Sequence, residues 1–588
     1  MTSMSKVCSS LWTSFIPVTS ATFLLLLLTP FAYPGFFPHD VNLLLACTAS
    51  MLLCLALLVE QKRPIPLPKT LLVISLLLIA TQLWLYSSGQ LISTTNWQLQ
   101  AILYATAVLL FVFGGSVSTC ELKRLLQLYL LAAALWSLVG LFVWLGGTHG
   151  QPLLMGPVTL ALAPALKLAG PFNQGNIFAG LIGFALLFSH WLAWKEKHTG
   201  YFIATAFFTA MLFDTLSRGE WLAYLLCVGC LLFALKPNTR EMMRCFILPW
   251  LLGLMTGALI LQLSEPALAE PNGIAMLAST AGATMEARLI IWATAISIFM
   301  QAPLTGSGWG QYAPQSWLAA PAASKLLNHF GLSHYLASNY LSAHNLFLHL
   351  MAEGGLIVLL PLLWGIGRLL QVTFRLFKQP HSIRLCFALA ALSFILQSQV
   401  NITFTRPLPL LLTALFAGIA MAPALRRNCW RVSARGPAIG AMAITIATFL
   451  IWASPTVMQW FTAERALYNF DINNAESAKR LASFANIPRV GALPSIWIAY
   501  NVATTGSHRG LLQWVTPPLR AATHDLPIAT SYQILFYTLT SSGKLQEACS
   551  VGRLIEAQHF PWEHNEQAYQ DACSGKAPDR YYFGNGSS

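Results

Sequence analysis

Charged side chains are scarce in this sequence: Asp, Glu, Lys and Arg make up 9% of its 588 residues, against 56% hydrophobic. A soluble globular protein carries roughly 25%, so an ordinary soluble enzyme is excluded. No glycine-rich loop has the strand and helix context, with the lysine, that cradles nucleotide phosphates. The nearest stretch, PLTGSGWGQY from Pro303 to Tyr312, reads as a tight turn. No G-x-S-x-G elbow presents a nucleophilic serine. No close cluster of His, Cys, Asp and Glu has metal-ligand spacing, and His344 and His349, five residues apart, would not share a helical face. No nucleotide, cofactor or metal is expected.

What the chain has instead is long apolar runs. Spans of about 17–25 residues are expected near 15–33, 41–59, 70–86, 98–116, 125–145, 175–194, 200–216, 220–236, 245–263, 344–364, 384–402, 407–424 and 437–455, thirteen in all. With a mean hydropathy of +0.60, the expected class is an all-α polytopic membrane protein. The first run follows a short segment carrying Lys6 and reads as an uncleaved span. Most of the 11 cysteines fall inside apolar runs, where a thiol is a small packing group. Cys549 and Cys573 alone lie in a polar region, and they could pair if that region lies outside the cytoplasm.

The formal net charge of +13 acquires meaning once the charges are placed. Alternate connecting segments hold Lys62, Arg63 and Lys69; Lys123 and Arg124; Lys195 and Lys197; Lys236, Arg240 and Arg244; Arg368, Arg375, Lys378 and Arg384; and Arg426, Arg427, Arg431 and Arg435. The opposite set holds only Lys167, Arg218, Arg288, Lys325 and Arg406 before the C-terminal region. By the positive-inside rule the first set is cytoplasmic and the second external, the periplasm of a bacterial inner membrane.

Two external segments exceed turns: 146–174, and a large loop at 264–343 whose own apolar helix, EARLIIWATAISIFMQ from Glu286 to Gln301, is expected to lie on the outer face. After Ser454 polar helical patterns appear, and the odd number of spans puts this helical region in the periplasm. Its Leu545 to Gln558 stretch resembles one tetratricopeptide unit. The expected organisation is N-terminal spans over 1–170, a core over 171–424 that includes the loop 264–343, a last loop and span over 425–455, and a periplasmic helical domain over 456–588.

Polar groups gather at the external ends of spans. SAHNLFLHLMAEGG, from Ser342 to Gly355, sets His344 and Asn345 at the mouth of a span. Ionisable residues there are functional candidates, although a lone histidine more often only anchors the helix end. GPFNQGNIFAG puts Asn173, Gln174 and Asn176 at the start of the sixth span. LSRGEWL joins two spans so tightly that Arg218 stays at membrane depth, and ARLIIW places Arg288 at the start of the loop helix. Guanidinium forks suit phosphate oxygens. The plain alternative pairs Arg218 with Asp214 or Glu220 and Arg288 with Glu286. Glu353, inside a span, reads either as a packing acid or as a second polar group of the site.

In order, LSRGEWL, RLIIW, PLTGSGWG and HNLFLHLMAEGG resemble the core shared by bacterial O-antigen ligases, O-antigen polymerases and protein O-oligosaccharyltransferases, over about Phe172 to Ala424. The NQGN element and the helical region after the last span resemble the PglL-type protein O-oligosaccharyltransferases. The resemblance implies en bloc transfer of a glycan from undecaprenyl diphosphate to a serine or threonine of a periplasmic or pilin protein, within the membrane lipid and without nucleic acid. It implies His344 for the acceptor hydroxyl or the sugar, Arg288 and Arg218 for the leaving diphosphate, and Gln174 for orienting donor or acceptor, with Asn173, Asn176 and Asn345 in support. One stretch departs from the pattern. Relatives often carry an acid, Pro-Leu and a tyrosine where this chain reads NITFTRPLPLLLTALF from Asn401, so Arg406 is either a third diphosphate ligand or a sign of different donor handling. The alternatives are a ligase or polymerase with lipid A core or glycan as acceptor, and a transporter of the lipid-linked glycan. Transporters often show internal repeats, and no repeat between the halves is visible.

Overall fold

The computed structural model describes residues 21–22, 25–26, 38–60, 65–145, 153–155, 158–160, 168–172, 174–264, 273–329, 331, 342–427, 429–432, 435–468, 474–484, 498–499, 509–525, 529–557 and 566–576. Most of them are helical. In chain order the helices are α1 (Pro38–Glu60), α2 (Lys69–Ser87), α3 (Thr94–Gly114), α4 (Thr119–Trp144), α5 (Gly175–Glu196), α6 (Thr199–Asp214), α7 (Arg218–Leu235), α8 (Leu248–Ser264), α9 (Gly273–Gln301), α10 (Tyr312–Leu318), α11 (Ala320–His329), α12 (Leu346–Leu376), α13 (Arg384–Gln397), α14 (Pro407–Leu425), α15 (Arg435–Tyr468), α16 (Ala475–Ala482), α17 (Leu512–Asp525), α18 (Ala529–Ser541), α19 (Leu545–Ala557) and α20 (Glu566–Cys573). Four short strands, β1 (Ile65–Pro68), β2 (Leu153–Met155), β3 (Val158–Leu160) and β4 (Cys429–Val432), pair antiparallel, β1 with β4 and β2 with β3.

Nine helices among the described residues are long and apolar enough to cross a membrane: α2, α3, α4, α5, α7, the run Thr239–Leu263, α12, α14 and α15. The chain is a multi-pass membrane protein. Three more of the thirteen expected spans coincide with shorter apolar helices, Leu43–Val59, Thr199–Asp214 and Arg384–Gln397. The first is the apolar stretch of the longer α1, whereas helices the size of the other two are about 20–25 Å long, less than the roughly 30 Å of hydrocarbon. The run 15–33 lies almost wholly outside the described residues. Ala287–Gln301, all but the first residue of the expected surface helix, is the C-terminal half of α9.

The fold divides into two compact units, Met1–Leu77, Ile102–Met276 and Pro361–Ala453 in the first, and Leu78–Ala101, Leu277–Leu360 and Ser454–Ser588 in the second. The first is built around α5. That helix is apolar all round, a pattern that is stable only when surrounded, and every residue from Ile177 to Ala193 is buried. Its Phe188 ring lies 5.3–5.4 Å from those of Tyr129, Phe387 and Phe416 on α4, α13 and α14. Aromatic pairs at this spacing add about 0.5–1.5 kcal/mol each beyond burial. At the π turn Met243–Ile247 the Cys245 carbonyl accepts from His190 Nδ1 at 2.9 Å, and the Tyr224 hydroxyl donates to His190 Nε2 at 2.7 Å. That buried histidine is satisfied on both nitrogens.

The basic loops of the first unit meet at one end of its bundle. Lys123 pairs with Glu196 at 3.0 Å, Lys197 pairs with Glu241 at 3.3 Å, and Lys195 lies 3.4 Å from His381. Arg426 donates to the Gly115 carbonyl, and β1 and β4 join two further basic segments. These loops, grouped by charge alone in the sequence, therefore share one side.

In the second unit the extramembrane helices pack in sequence order, α17 on α18, α18 on α19 and α19 on α20. Arg520 on α17 pairs with Glu547 on α19, and a disulfide joins Cys549 of α19 to Cys573 of α20. The result is a stack of helical hairpins without the sequence period that defines a tetratricopeptide array. Trp317 of α10 stacks on Tyr532 of α18 at 5.7 Å, which ties the loop region to these hairpins.

Candidate functional site

The site in the second unit begins with a break in α12. Gly355 has φ 58° and ψ −157°, a region only glycine occupies readily, and the helix kinks there. The kink opens backbone groups to the PLTGSGWG turn. Ser307 and Gly308 N–H donate to the Ala352 and Glu353 carbonyls at 3.0 and 2.8 Å, and Leu356 and Ile357 N–H donate to Pro303 and Leu304 carbonyls. A Cβ on Gly306 would strike the Glu353 and Gly354 backbone, so the two chains touch only because glycine stands there.

Two glutamines fix the turn from its other side. Gln82 Oε1 accepts from Trp97 Nε1 at 3.1 Å and from Trp309 N–H at 3.0 Å. Buried Gln311 accepts from Ile92 and Ser93 N–H through Oε1, both at 2.9 Å, and donates through Nε2 to the Ser93 carbonyl at 2.7 Å. The motif is thus an anchored platform under the first turns of α12.

His344 sits two residues before the start of α12 in the left-handed region, φ 49°, which costs a non-glycine residue about 1–2 kcal/mol. Its neighbours hold it there. Asn345 caps the helix, its Oδ1 accepting from Leu348 N–H at 3.0 Å and its carbonyl from His349 N–H at 2.9 Å. On the other side Ala343 N–H donates to His349 Nδ1 at 3.4 Å. Burial, and then the field of the Arg288 guanidinium, lower the His344 pKa from 6.5 to about 4. The imidazole is therefore neutral at pH 7 and can accept a proton, next to a cation that can meet an anion.

Arg288 reaches this place through packing. Ile291, Ala295 and Ile298 of α9 form one buried cluster with Tyr312, Ala319, Ala343 and Ala352. The Tyr312 hydroxyl donates to the Ile291 carbonyl at 3.1 Å, and Tyr312 N–H donates to Glu353 Oε1 at 3.0 Å. Glu353 is accordingly held by the turn through Oε1, which His349 Nε2 also faces at 3.5 Å, while its buried Oε2 has no hydrogen-bond partner.

The remaining expected residues lie in the first unit. Gln174 is the N-cap of α5, with its Oε1 buried and unpartnered. The Asn176 carbonyl accepts from Gln397 Nε2 at 2.7 Å. Arg218 opens α7 and is exposed, and Arg406 precedes α14 at its N-cap. Asn173 lies outside the described residues. The local pairing open to Arg218 in the sequence is not made through Asp214, whose two buried carboxylate oxygens have no hydrogen-bond partner. Glu220 turns into the bundle instead, where Ser393 donates to its Oε1 at 3.3 Å.

Sequence reasoning singled out neither Asp214, Glu220 and Gln397 nor the working contacts of His349. A carboxyl inside an apolar run is unusual and is itself the signal for the acids, but spacing along the chain offers them only as partners for arginine. Among the described residues no group of His, Cys, Asp and Glu could hold a metal ion.

Residues 203–363 match the family described as O-Antigen ligase. The match contains LSRGEWL, RLIIW, PLTGSGWG and His344, and it supports the O-antigen ligase and polymerase superfamily. No curated protein matches the chain.

Proposed function

From a core of O-antigen ligase type, we propose that this protein is a glycosyltransferase that moves an oligosaccharide en bloc from undecaprenyl diphosphate to a serine or threonine hydroxyl of a periplasmic or pilin protein. The observation that carries it is His344, kept neutral beside Arg288 at the mouth of α12. The acceptor oxygen attacks the anomeric carbon, the bond from that carbon to the diphosphate breaks with its electron pair, and the hydroxyl proton passes to His344. Arg288 meets the charge that develops on the leaving diphosphate. Arrival of the diphosphate also offsets the field of Arg288 on His344 and so makes the imidazole a stronger base when the donor is present.

Arg218, Arg406 and Gln174 are the donor-binding groups of the first unit in this reading, with Asn176 supporting Gln174. The active site and the C-terminal hairpins face the periplasm of a bacterial inner membrane. A polar region carrying a disulfide supports that side, because such bonds persist in oxidising compartments. The hairpin stack, tied to the loop by Trp317 and Tyr532, presents the protein acceptor.

A second reading, with lipid A core sugar as the acceptor, is favoured by the match of residues 203–363 to the O-Antigen ligase family. Purified protein is incubated with undecaprenyl diphosphate oligosaccharide and both acceptors, a pilin-like protein and lipid A core, and products are read by mass. Glycan on a serine or threonine supports the first reading. Glycan only on lipid A core replaces it with the second. Transfer to neither, or full transfer by His344→Ala, overturns the site.

A further inference from the structure

Tyr312, His349 and Glu353 have no role in the transfer step above, yet they join the two residues that do. The path runs from the Ile291 carbonyl, one turn beyond Arg288, to the Tyr312 hydroxyl at 3.1 Å. It continues from Tyr312 N–H to Glu353 Oε1 at 3.0 Å, from that oxygen to His349 Nε2 at 3.5 Å, and from His349 Nδ1 to Ala343 N–H at 3.4 Å. Ala343 is the residue before His344. All three side chains are 4% exposed or less, and the Tyr312 and His349 rings lie 5.0 Å apart.

The direction of the bonds settles the histidine's form. Nδ1 receives the Ala343 N–H, so the ring proton is on Nε2, facing the carboxylate; one tautomer serves both contacts. A buried polar set of this kind costs more to assemble than apolar packing of the same volume. What it adds is direction. It pins the backbone N–H one residue before a histidine held at φ 49°, a conformation that persists only when its surroundings impose it.

We propose that His349 is a positioning residue for His344, held in a single tautomer by Glu353, and that Tyr312 extends the same brace to the helix that carries Arg288. The proposal rests on the reading of His344 as the base, and its test separates the two. His349→Asn places an amide oxygen near the Nδ1 position and keeps an acceptor for Ala343 N–H; His349→Leu fills the space without one.

The full-length protein is assayed for transfer with undecaprenyl diphosphate oligosaccharide, and histidine-¹⁵N spectra are recorded on the same preparations, the His344 signals being assigned by their loss in His344→Ala. The brace predicts that His349→Leu lowers kcat by about 10- to 100-fold, the order expected for misplacing a reacting group, with donor KM little changed. It also predicts that the His344 signals move. In His349→Asn both should return close to those of the unaltered protein, and the acid limb of the pH profile should stay in place. Unmoved His344 signals in His349→Leu overturn the proposal, whatever the activity. A His349→Asn whose transfer stays as low as that of His349→Leu and whose residual pH profile has lost that limb also overturns it, since His349 would then be handling the proton itself. Full transfer by His344→Ala removes the base assignment, and the spectra alone then judge the brace.

Discussion

At the scale of single residues, His344 is distinguished by the two causes that hold its pKa near 4, burial first and Arg288 second. Activity that needs the neutral imidazole is full above that value and is lost as pH falls through it. The acid limb of kcat/KM, which reports the free enzyme, should therefore lie near pH 4. The limb of kcat should lie higher, because the donor diphosphate offsets Arg288 in the complex. Arg288→Gln should raise the kcat/KM limb towards 6.5 in whatever transfer remains. Coincident limbs in the unaltered protein would remove the proposed coupling. Two buried acids make a second contrast. The Asp214 carboxyl has no hydrogen bond to lose, whereas that of Glu353 accepts the Tyr312 N–H. Asp214→Leu should leave the thermal midpoint unchanged or raise it, and Glu353→Leu should destabilise by about 1–3 kcal/mol, the cost of an orphaned buried donor. Equal losses in detergent-purified protein would contradict that difference.

At the scale of elements, the central device is a helix broken on purpose. The sequence announced α12 by its apolar run and announced PLTGSGWG as a turn, and both readings hold. What pattern alone could not supply was that the turn docks on the helix through its kink. The reason is physical: Gly355 in a long apolar run reads as an ordinary helical glycine until the backbone of Pro303–Gly306 is known to lie against it. The same holds for His349 and Glu353. Their spacing of four residues places them on one helical face, but their value depends on Tyr312 and Ala343, which arrive from elsewhere in the chain. A Cβ at Gly355 would meet the Leu304 carbonyl and Gly306 N, and the alanine would also have to hold a φ of 58°. Gly355→Ala should therefore cost about 1–3 kcal/mol in backbone strain, with overpacking in addition. It should lower transfer along with the thermal midpoint. Gly365→Ala, where added atoms meet nothing within 4 Å, is the control on the same helix and should change neither.

At the scale of the whole molecule, charge counting did more than hydropathy. The basic loops, sorted into one set by alternation, do meet through Lys123–Glu196, Lys197–Glu241 and the β1–β4 ladder. Span lengths were less legible, because α6 and α13 are shorter than a bilayer and are apolar through burial against α5, not only through contact with lipid. The disulfide turns the proposed orientation into a measurement. Cys549 and Cys573 are 24 residues apart in sequence, and closing a loop of that size stabilises by about 3 kcal/mol in the chain-entropy view. If the hairpins face an oxidising periplasm, protein alkylated before reduction should keep both thiols protected, and cysteines labelled after reduction should map to 549 and 573. Cys549→Ser should then loosen α19 against α20, so that protease added to spheroplasts cuts near the C-terminus at lower temperature than in the unaltered protein, while the spans stay intact. Free thiols at both positions in freshly isolated membranes, with the segment resistant to external protease, would place the hairpins on the cytoplasmic side and with them reverse the face assigned to His344.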